Sequence, residues 1–245
     1  METSLYSVDV AIFRWINQGW SRPSLDAFFS FVTDYKNFIP LLAAWLIYLL
    51  AKEGNKGRFF GLGLVLSLLS ILAPLFLFVL VPWFIYLLVK ADRNRRFFVL
   101  GFFACILIAD QSSSHLVKPL VERLRPCNVL PDVLTPVGKS ASYSFPSSHG
   151  SNMGAILFLI AATYGRWAWF FVPFALASGL SRIYLGLHYP SDVAAGYLFG
   201  ALVGFGVWWG IEKAKENFKF SILNSKFWEA KALKKTPGKS GKKRD

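Results

Sequence analysis

The sequence has 245 residues, of which 54% are hydrophobic and 17% are charged. A soluble domain carries about 25% charged residues, so this composition argues against a soluble globular protein. The formal net charge is +13. No folded nucleic-acid-binding module accompanies the basic residues, and we therefore exclude nucleic acid as a partner.

Residues 1–37 are predicted to form an N-terminal amphipathic segment. Its apolar residues recur at helical spacing: Val8, Ile12, Trp15 and Ile16. Its polar residues fall on the opposite side: Arg14, Asn17 and Gln18. This pattern fits a helix that lies in the membrane interface. It fits equally a helix of the soluble type that packs on a bundle, and the sequence leaves both arrangements open.

From residue 38 onward the chain contains long apolar segments almost without charge. These segments are 38–51, 59–89, 97–109, 150–164, 167–180 and 193–211. Several are shorter than the ~20 residues that cross a bilayer unaided. Their polar ends must then face protein or a water-filled cleft rather than lipid. The predicted fold class is all-α, a polytopic transmembrane helix bundle.

The transmembrane region 38–96 contains an internal repeat. Residues 45–63 and 83–101 match at an offset of 38 residues, with Trp, Ile-Tyr-Leu-Leu, Lys, Arg-Phe-Phe and Leu-Gly in register. Repeats of this kind indicate duplication. We interpret this one as the addition of one helical hairpin, which favours two short spans within 59–89.

Basic loops set the predicted orientation in the membrane. The loops 51–58, 90–96 and 164–167 and the tail carry Lys and Arg, which places them in the cytoplasm. The helices 97–117, 150–164, 167–183 and 193–211 then alternate in direction. Loops 118–149 and 182–192 therefore share the extracytoplasmic face. The small size and short loops are typical of a bacterial inner-membrane (plasma-membrane) protein.

Small residues and a basic tail complete the pattern. Glycines recur every fourth residue: Gly150 and Gly154, and Gly196, Gly200 and Gly204. This spacing allows close helix packing in membranes, although glycine is also simply common there. Residues 212–245 carry eleven Lys and Arg against four acids. We expect a cytoplasmic tail that binds anionic membrane lipids.

Three polar segments lie at the predicted extracytoplasmic helix ends: 118–126, 144–152 and 181–192. Their cations, Lys118, Arg125 and Arg182, suit a dense anion such as phosphate. Amide groups around Ser147 and Ser148, before a helix, add donors. His149 and His188 can supply a general acid and a nucleophile near neutral pH. Asp192 follows His188 by one helical turn, so its carboxylate can fix the imidazole tautomer and favour its charged form.

These segments resemble the three motifs of the type 2 phosphatidic acid phosphatase family, integral membrane lipid phosphatases related to vanadium haloperoxidases. The family patterns are Lys-x6-Arg-Pro, Pro-Ser-Gly-His and Ser-Arg-x5-His-x3-Asp. Here they read Lys118 to Arg125-Pro126, Pro146-Ser147-Ser148-His149, and Ser181-Arg182 to His188 and Asp192. Ser148 departs from the family's glycine. The resemblance covers the predicted catalytic core, 97–211.

The resemblance implies a role for each matching residue. His188 attacks phosphorus to form a phosphohistidine, Asp192 orients and charges it, and His149 protonates the leaving oxygen and then activates water. The phosphoryl group is bound by Lys118, Arg125, Ser147, Ser148 and Arg182. No metal and no other cofactor is implied, and the sequence shows no acidic cluster typical of a magnesium site.

The predicted function is therefore metal-independent hydrolysis of a terminal phosphate from a membrane lipid phosphate or diphosphate. Undecaprenyl diphosphate, lipid A 1-phosphate, phosphatidylglycerol phosphate and phosphatidic acid all fit, and loop 127–145 is expected to choose among them. Two alternatives stay open, an anion or lipid transporter and a non-catalytic lipid-binding protein. The sequence does not indicate an oligomeric state.

Four further ionisable residues flank the motifs. His115 is interpreted as a structural residue at a helix end, and Asp110 fits a functional or a structural role within the membrane. Glu122 and Arg123 are expected to form a solvated pair in the loop.

Overall fold

The computed structural model describes the backbone of residues 4–50, 61–65 and 77–235, and the side chains of 5–50, 61–65 and 81–217. These residues form α-helices and short 3-10 or π segments, with no β-strand among them. The α-helices are α1 (Ser4–Asn17), α2 (Pro23–Thr33), α3 (Ile39–Leu50), α4 (Leu77–Lys90), α5 (Arg93–Gln111), α6 (Lys118–Val121), α7 (Pro126–Val129), α8 (Ser148–Tyr164), α9 (Val172–Tyr184) and α10 (Pro190–Lys235). The predicted all-α class is confirmed.

Three helical stretches are long and apolar enough to cross a membrane: Arg93–Val129, Ser148–Phe170 and Pro190–Asn217. Tyr35–Leu50 and Val81–Lys90 are shorter apolar helices. The chain is therefore an integral membrane protein. Helix α9 has 13 residues, fewer than a bilayer requires, which agrees with the prediction that short apolar segments end against protein.

Several helix boundaries differ from the predicted ones; α9, for example, begins at Val172 rather than 167, after the 3-10 segment Gly165–Phe170. Helix α5 begins at Arg93 because Asp92 caps it, its Oδ1 accepting a hydrogen bond from the Arg95 amide over 3.1 Å. Helix α10 continues to Lys235 rather than ending at 211. From Trp208 onward the described residues form a separate compact unit, in which Lys213 pairs with Glu216 over 3.0 Å.

Two sequence predictions depend on residues outside the described ones. Residues 51–60 contain part of the first copy of the internal repeat. The choice between one and two spans in 59–89 depends on residues 66–76. Both questions therefore stay at the level of prediction.

The N-terminal segment holds two helices, α1 and α2, which pack against α9. Phe29 lies 4.5 Å from Tyr184 and Phe13 lies 5.8 Å from Tyr189, measured between ring centroids. One face of α1 is buried: Asp9, Phe13, Ile16 and Asn17. The opposite face is exposed and apolar: Leu5, Val8, Ile12 and Trp15. Helix α1 thus packs on the bundle, and contact of its exposed face with the membrane interface stays a prediction.

Helices α8 and α10 approach closely along their glycines, as the recurrence of glycine at every fourth residue predicts. A Cβ atom on Gly196 would lie 2.6 Å from the Ser147 carbonyl oxygen, and one on Gly204 would lie 2.6 Å from that of Ala155. A Cβ on Gly200 would overlap the Ser151 carbonyl oxygen. Backbone contact at this distance excludes any side chain larger than hydrogen and fixes the register of the two helices.

We expect Gly200→Ala to lower the thermal midpoint of unfolding in detergent by several degrees, since overpacking costs about 1–3 kcal/mol. Gly206→Ala is the matched control, because a Cβ there meets no atom within 4 Å and alanine favours helix by about 1 kcal/mol. Equal midpoints for both variants would contradict the close packing.

Candidate active site

The three polar segments meet at one end of the bundle. Successive helices run in opposite directions, so the end of α5 and α6, the start of α8, the end of α9 and the start of α10 lie together. Six ionisable side chains are brought to this end: Lys118, Arg125, His149, Arg182, His188 and Asp192. The sequence predicted this set.

The starts of α8 and α10 are joined by their backbones. The Ser147 amide donates to the Asp192 carbonyl oxygen over 3.0 Å, beside the close approach of Gly196 to Ser147. The glycine contacts thus place the second motif directly against the third.

His188 is buried, with 1% of its surface exposed, and its neighbours define its tautomer. Arg125 Nη1 lies 3.0 Å from Nε2 of His188. A guanidinium can only donate, so Nε2 is the acceptor and carries no proton. In the neutral ring the proton is then on Nδ1, which lies 3.6 Å from Asp192 Oδ2. The lone pair of Nε2 faces the cations.

The charge of His188 differs from the sequence expectation. We expected Asp192 to favour the charged imidazolium. Instead, burial first, and then the charges of Arg125, Arg182 and Lys118, hold the pKa of His188 well below its usual value. The reason is that three cations and a desolvated site outweigh one carboxylate. The ring is neutral at physiological pH, which is the form that can act as a nucleophile.

Asp192 has no exposed surface, and each of its carboxylate oxygens has a donor. Oδ2 accepts from the Tyr189 amide over 2.9 Å, and Oδ1 accepts from Arg123 Nη1 over 2.6 Å. The predicted pair of Arg123 with Glu122 is wrong: Arg123 is turned inward, with 22% of its side chain exposed, whereas Glu122 accepts from the Tyr143 hydroxyl over 3.3 Å.

Arg125 also ties the site to loop 127–145. Its Nε donates to the Ser142 carbonyl oxygen over 2.7 Å, and its Nη2 donates to the Ser142 hydroxyl over 2.8 Å. A third contact runs from Nη1 to the Leu187 carbonyl oxygen over 2.9 Å. The guanidinium is thereby held in one plane between the loop and His188.

Thr33, at the end of α2, contacts two of the predicted residues. Its carbonyl oxygen lies 3.2 Å from His149 Nε2, and because a carbonyl only accepts, this nitrogen carries a proton. Its hydroxyl accepts from Arg182 Nη1 over 2.7 Å. Lys118, by contrast, is buried, and its side-chain ammonium donates no hydrogen bond to the residues that the structure describes.

The two serines of the second motif have structural partners. The Ser147 hydroxyl accepts from the Gly150 amide over 3.3 Å and caps α8. The Ser148 hydroxyl lies 2.9 Å from that of Ser113, in the π-helical segment Ser112–Val117. Both hydroxyls are therefore already engaged within the protein, and a role in binding phosphate stays a prediction for these two serines. Serine is accommodated where the family pattern has glycine.

The remaining candidates make no hydrogen bond within this cluster. His115 is exposed and Asp110 is half-buried, and neither side chain has a hydrogen bond to the six residues. Over the described part of the chain, no group of three or more His, Cys, Asp or Glu side chains could hold a metal ion.

Sequence reasoning missed the contribution of the N-terminal segment. Asp9 binds Arg123 over 2.6 Å, and Asn17 donates to the carbonyl oxygens of Tyr184 and Leu134 over 2.7 and 2.8 Å. The available signal was the polar side of the amphipathic helix, which the sequence analysis identified through Asn17, whereas Asp9 was not singled out.

Several known proteins resemble part of this chain. The lipid A 4'-phosphatase of Bacteroides thetaiotaomicron is 40% identical over 110 residues, which are 42% of this chain and 48% of that protein. The bacitracin transport permease protein BcrC of Bacillus licheniformis is 39% identical over 89 residues, 36% of this chain and 44% of that one. The chain thus spans about half the length of the curated relatives it matches.

The fold is also similar to a solved structure. The crystal structure of the transmembrane PAP2 type phosphatidylglycerolphosphate phosphatase from Bacillus subtilis superimposes with a TM-score of 0.51, at 22% identity, over 86% of this chain and 89% of that one. Residues 97–216 match the family model of the PAP2 superfamily, and they contain all three motifs. The chain belongs to the PAP2 superfamily.

Proposed function

We propose that this protein is a lipid phosphatase that works through a phosphohistidine. The observation that carries the proposal is the state of His188: a buried, neutral imidazole whose unprotonated Nε2 faces Arg125, with Asp192 on its other side. A nucleophile held among cations suits attack on a phosphate group. The name of the lipid A 4'-phosphatase supports the same class of substrate.

In the first step the lone pair of His188 Nε2 attacks phosphorus. The new N–P bond forms as the P–O bond to the lipid breaks, and Arg125 turns from Nε2 to the phosphoryl oxygens with Lys118 and Arg182. His149 gives its proton to the departing lipid oxygen. The phosphorylated ring carries positive charge, and the carboxylate of Asp192 beside Nδ1 stabilises it.

In the second step water attacks phosphorus and His149 accepts its proton. The N–P bond breaks, the electron pair returns to Nε2, and inorganic phosphate leaves. A monoester yields a lipid alcohol, and a diphosphate yields a lipid monophosphate. For His149 to reach the lipid oxygen, its contact with Thr33 must open when substrate binds.

Transport is the second candidate, because the name of BcrC describes a transport permease. Transporter sites lie near the midplane of the membrane between repeated halves. Here the cations lie at one end of the helices, next to a nucleophile and a proton donor. This placement favours hydrolysis, and direct assay separates the two.

The membrane setting completes the proposal. The site faces away from the cytoplasm of a bacterial inner membrane, since the basic loops 90–96 and 164–167 lie at the opposite ends of helices α5 and α8. The basic tail binds anionic lipids on the cytoplasmic side. The substrate is a lipid phosphate or diphosphate such as lipid A phosphate, undecaprenyl diphosphate or phosphatidylglycerol phosphate, with loop 127–145 selecting the headgroup through Ser142 and Arg125.

The nucleophile is tested with detergent-purified protein and a panel of these lipids. Wild type should release phosphate from at least one lipid, and His188→Ala should lose more than 99% of this turnover while it stays folded. Wild type quenched in alkaline denaturant should carry phosphate that is stable to alkali and labile to acid. More than a few per cent of activity in His188→Ala would contradict the assignment, and accumulation of lipid in proteoliposomes without hydrolysis would favour transport.

Orthovanadate should inhibit, because it adopts the trigonal-bipyramidal geometry of phosphoryl transfer and the site offers Arg, Lys and His donors. EDTA should leave activity within about twofold, since Lys118, Arg125 and Arg182 repel a divalent cation. Activity that disappears with the chelator and returns with Mg²⁺ would contradict a metal-independent mechanism.

The orientation of the site is tested by labelling a cysteine placed at Lys139, in loop 127–145, in a protein with Cys105→Ser and Cys127→Ser. An impermeant maleimide added to intact cells should label it. A cysteine placed at Arg166, between α8 and α9, is the matched control and should be labelled only after lysis. The reverse pattern would place the site in the cytoplasm.

A further inference from the structure

Asp9 lies far outside the family match, which begins at residue 97, yet it is bound to the centre of the site. It belongs to α1 and is buried. Its Oδ2 lies 2.6 Å from Arg123 Nη2, while Nη1 of the same guanidinium lies 2.6 Å from Asp192 Oδ1. One arginine thus bridges an N-terminal carboxylate and the carboxylate beside His188.

Asp9 also binds Ser191, the residue next to Asp192. The Ser191 amide donates to Asp9 Oδ1 over 2.9 Å, and the Ser191 hydroxyl donates to Oδ2 over 2.5 Å. Ser191 immediately precedes Asp192 at the start of α10. Arg123 is held in addition over the Tyr189 ring, with its Cζ 4.0 Å from the centroid. The side chain and the backbone of this turn are therefore both fixed from α1.

We propose that Asp9 is a positioning residue, which through Arg123 orients Asp192 and so holds the proton of His188 on Nδ1. The proposal rests on the proposed function for its effect on turnover. Asp9 holds one side of the Arg123 guanidinium, and the other side donates to Asp192 Oδ1. Loss of either Asp9 or Arg123 would leave the Asp192 carboxylate less firmly oriented toward Nδ1 and toward the positive ring formed on phosphorylation.

The mechanism requires this support for a geometric reason. The distance from Nδ1 to Asp192 Oδ2 is 3.6 Å, longer than a normal hydrogen bond. A small movement of the carboxylate therefore decides whether the bond forms as charge develops on the ring. The contacts of Arg123, Tyr189 and Asp9 limit that movement.

The test compares Asp9→Asn with Asp26→Asn in the full chain. Asp26 also lies in the N-terminal segment and its Oδ1 accepts from the Tyr184 hydroxyl over 2.5 Å, but it has no contact with Arg123 or Asp192. Asp9→Asn should lower kcat about tenfold with KM within about twofold, in line with loss of a hydrogen bond between charged groups. Asp26→Asn should keep kcat within about twofold.

A spectroscopic measurement tests the same inference without turnover. The chain has three histidines, so the ring nitrogens of ¹⁵N-histidine-labelled protein can be assigned with His188→Ala. Wild type should show a His188 ring protonated on Nδ1. Asp9→Asn and Arg123→Gln should both shift these signals toward a mixture of tautomers, and Asp26→Asn should not. If Asp9→Asn does not fold, Arg123→Gln tests the same link from its other end.

Two results would overturn the inference. One is a set of His188 signals in Asp9→Asn, or in Arg123→Gln, that matches wild type. The other concerns the double variant that combines Asp9→Asn with Arg123→Gln. Residues that act through one another have non-additive effects on free energy, so a fold-loss of kcat equal to the product of the two single fold-losses would contradict the inference. If wild type hydrolyses no lipid phosphate, the proposed function fails, while the ring signals still decide the role of Asp9.

Discussion

Asp192 places a carboxylate where it has no contact with solvent, and the rest of the site is arranged around its charge. A buried carboxylate is costly unless donors reach both of its oxygens. Arg123 donates to Oδ1 over 2.6 Å, and the Tyr189 amide donates to Oδ2 over 2.9 Å. His188 Nδ1 also lies near Oδ2.

The neutral form of His188 follows from its burial and from the cations around it. Burial and three neighbouring cations lower the pKa of the imidazole, and the donor geometry of Arg125 leaves Nε2 unprotonated. In the proposed mechanism this lone pair becomes free when Arg125 turns to the phosphate. The phosphorylated ring would then be cationic, and the carboxylate of Asp192 beside Nδ1 would stabilise it.

Helix packing delivers these groups to one place. Glycines let α8 and α10 approach until Ser147 and Asp192 share a backbone hydrogen bond of 3.0 Å. Helices α1 and α2 then cover the same end of the bundle, where Asp9 reaches Arg123 and Thr33 reaches His149 and Arg182. The N-terminal segment is thus part of the site, although the match to the PAP2 superfamily does not include it.

The sequence alone determined what depends on local spacing. Apolar segments identified the membrane helices, and glycine at every fourth residue identified a close helix contact. The four-residue spacing from His188 to Asp192 identified their pairing. Each of these patterns involves residues of only one or two neighbouring elements, so it can be read from the sequence. Only the tertiary structure decided what depends on distant contacts. Asp9 and Arg123 are 114 residues apart, and Thr33 and His149 are 116 apart. No periodicity in the sequence predicts contacts between residues so far apart in the chain. The charge of His188 depends on cations from three helix ends, so it can be predicted only once the tertiary structure shows that those ends lie together.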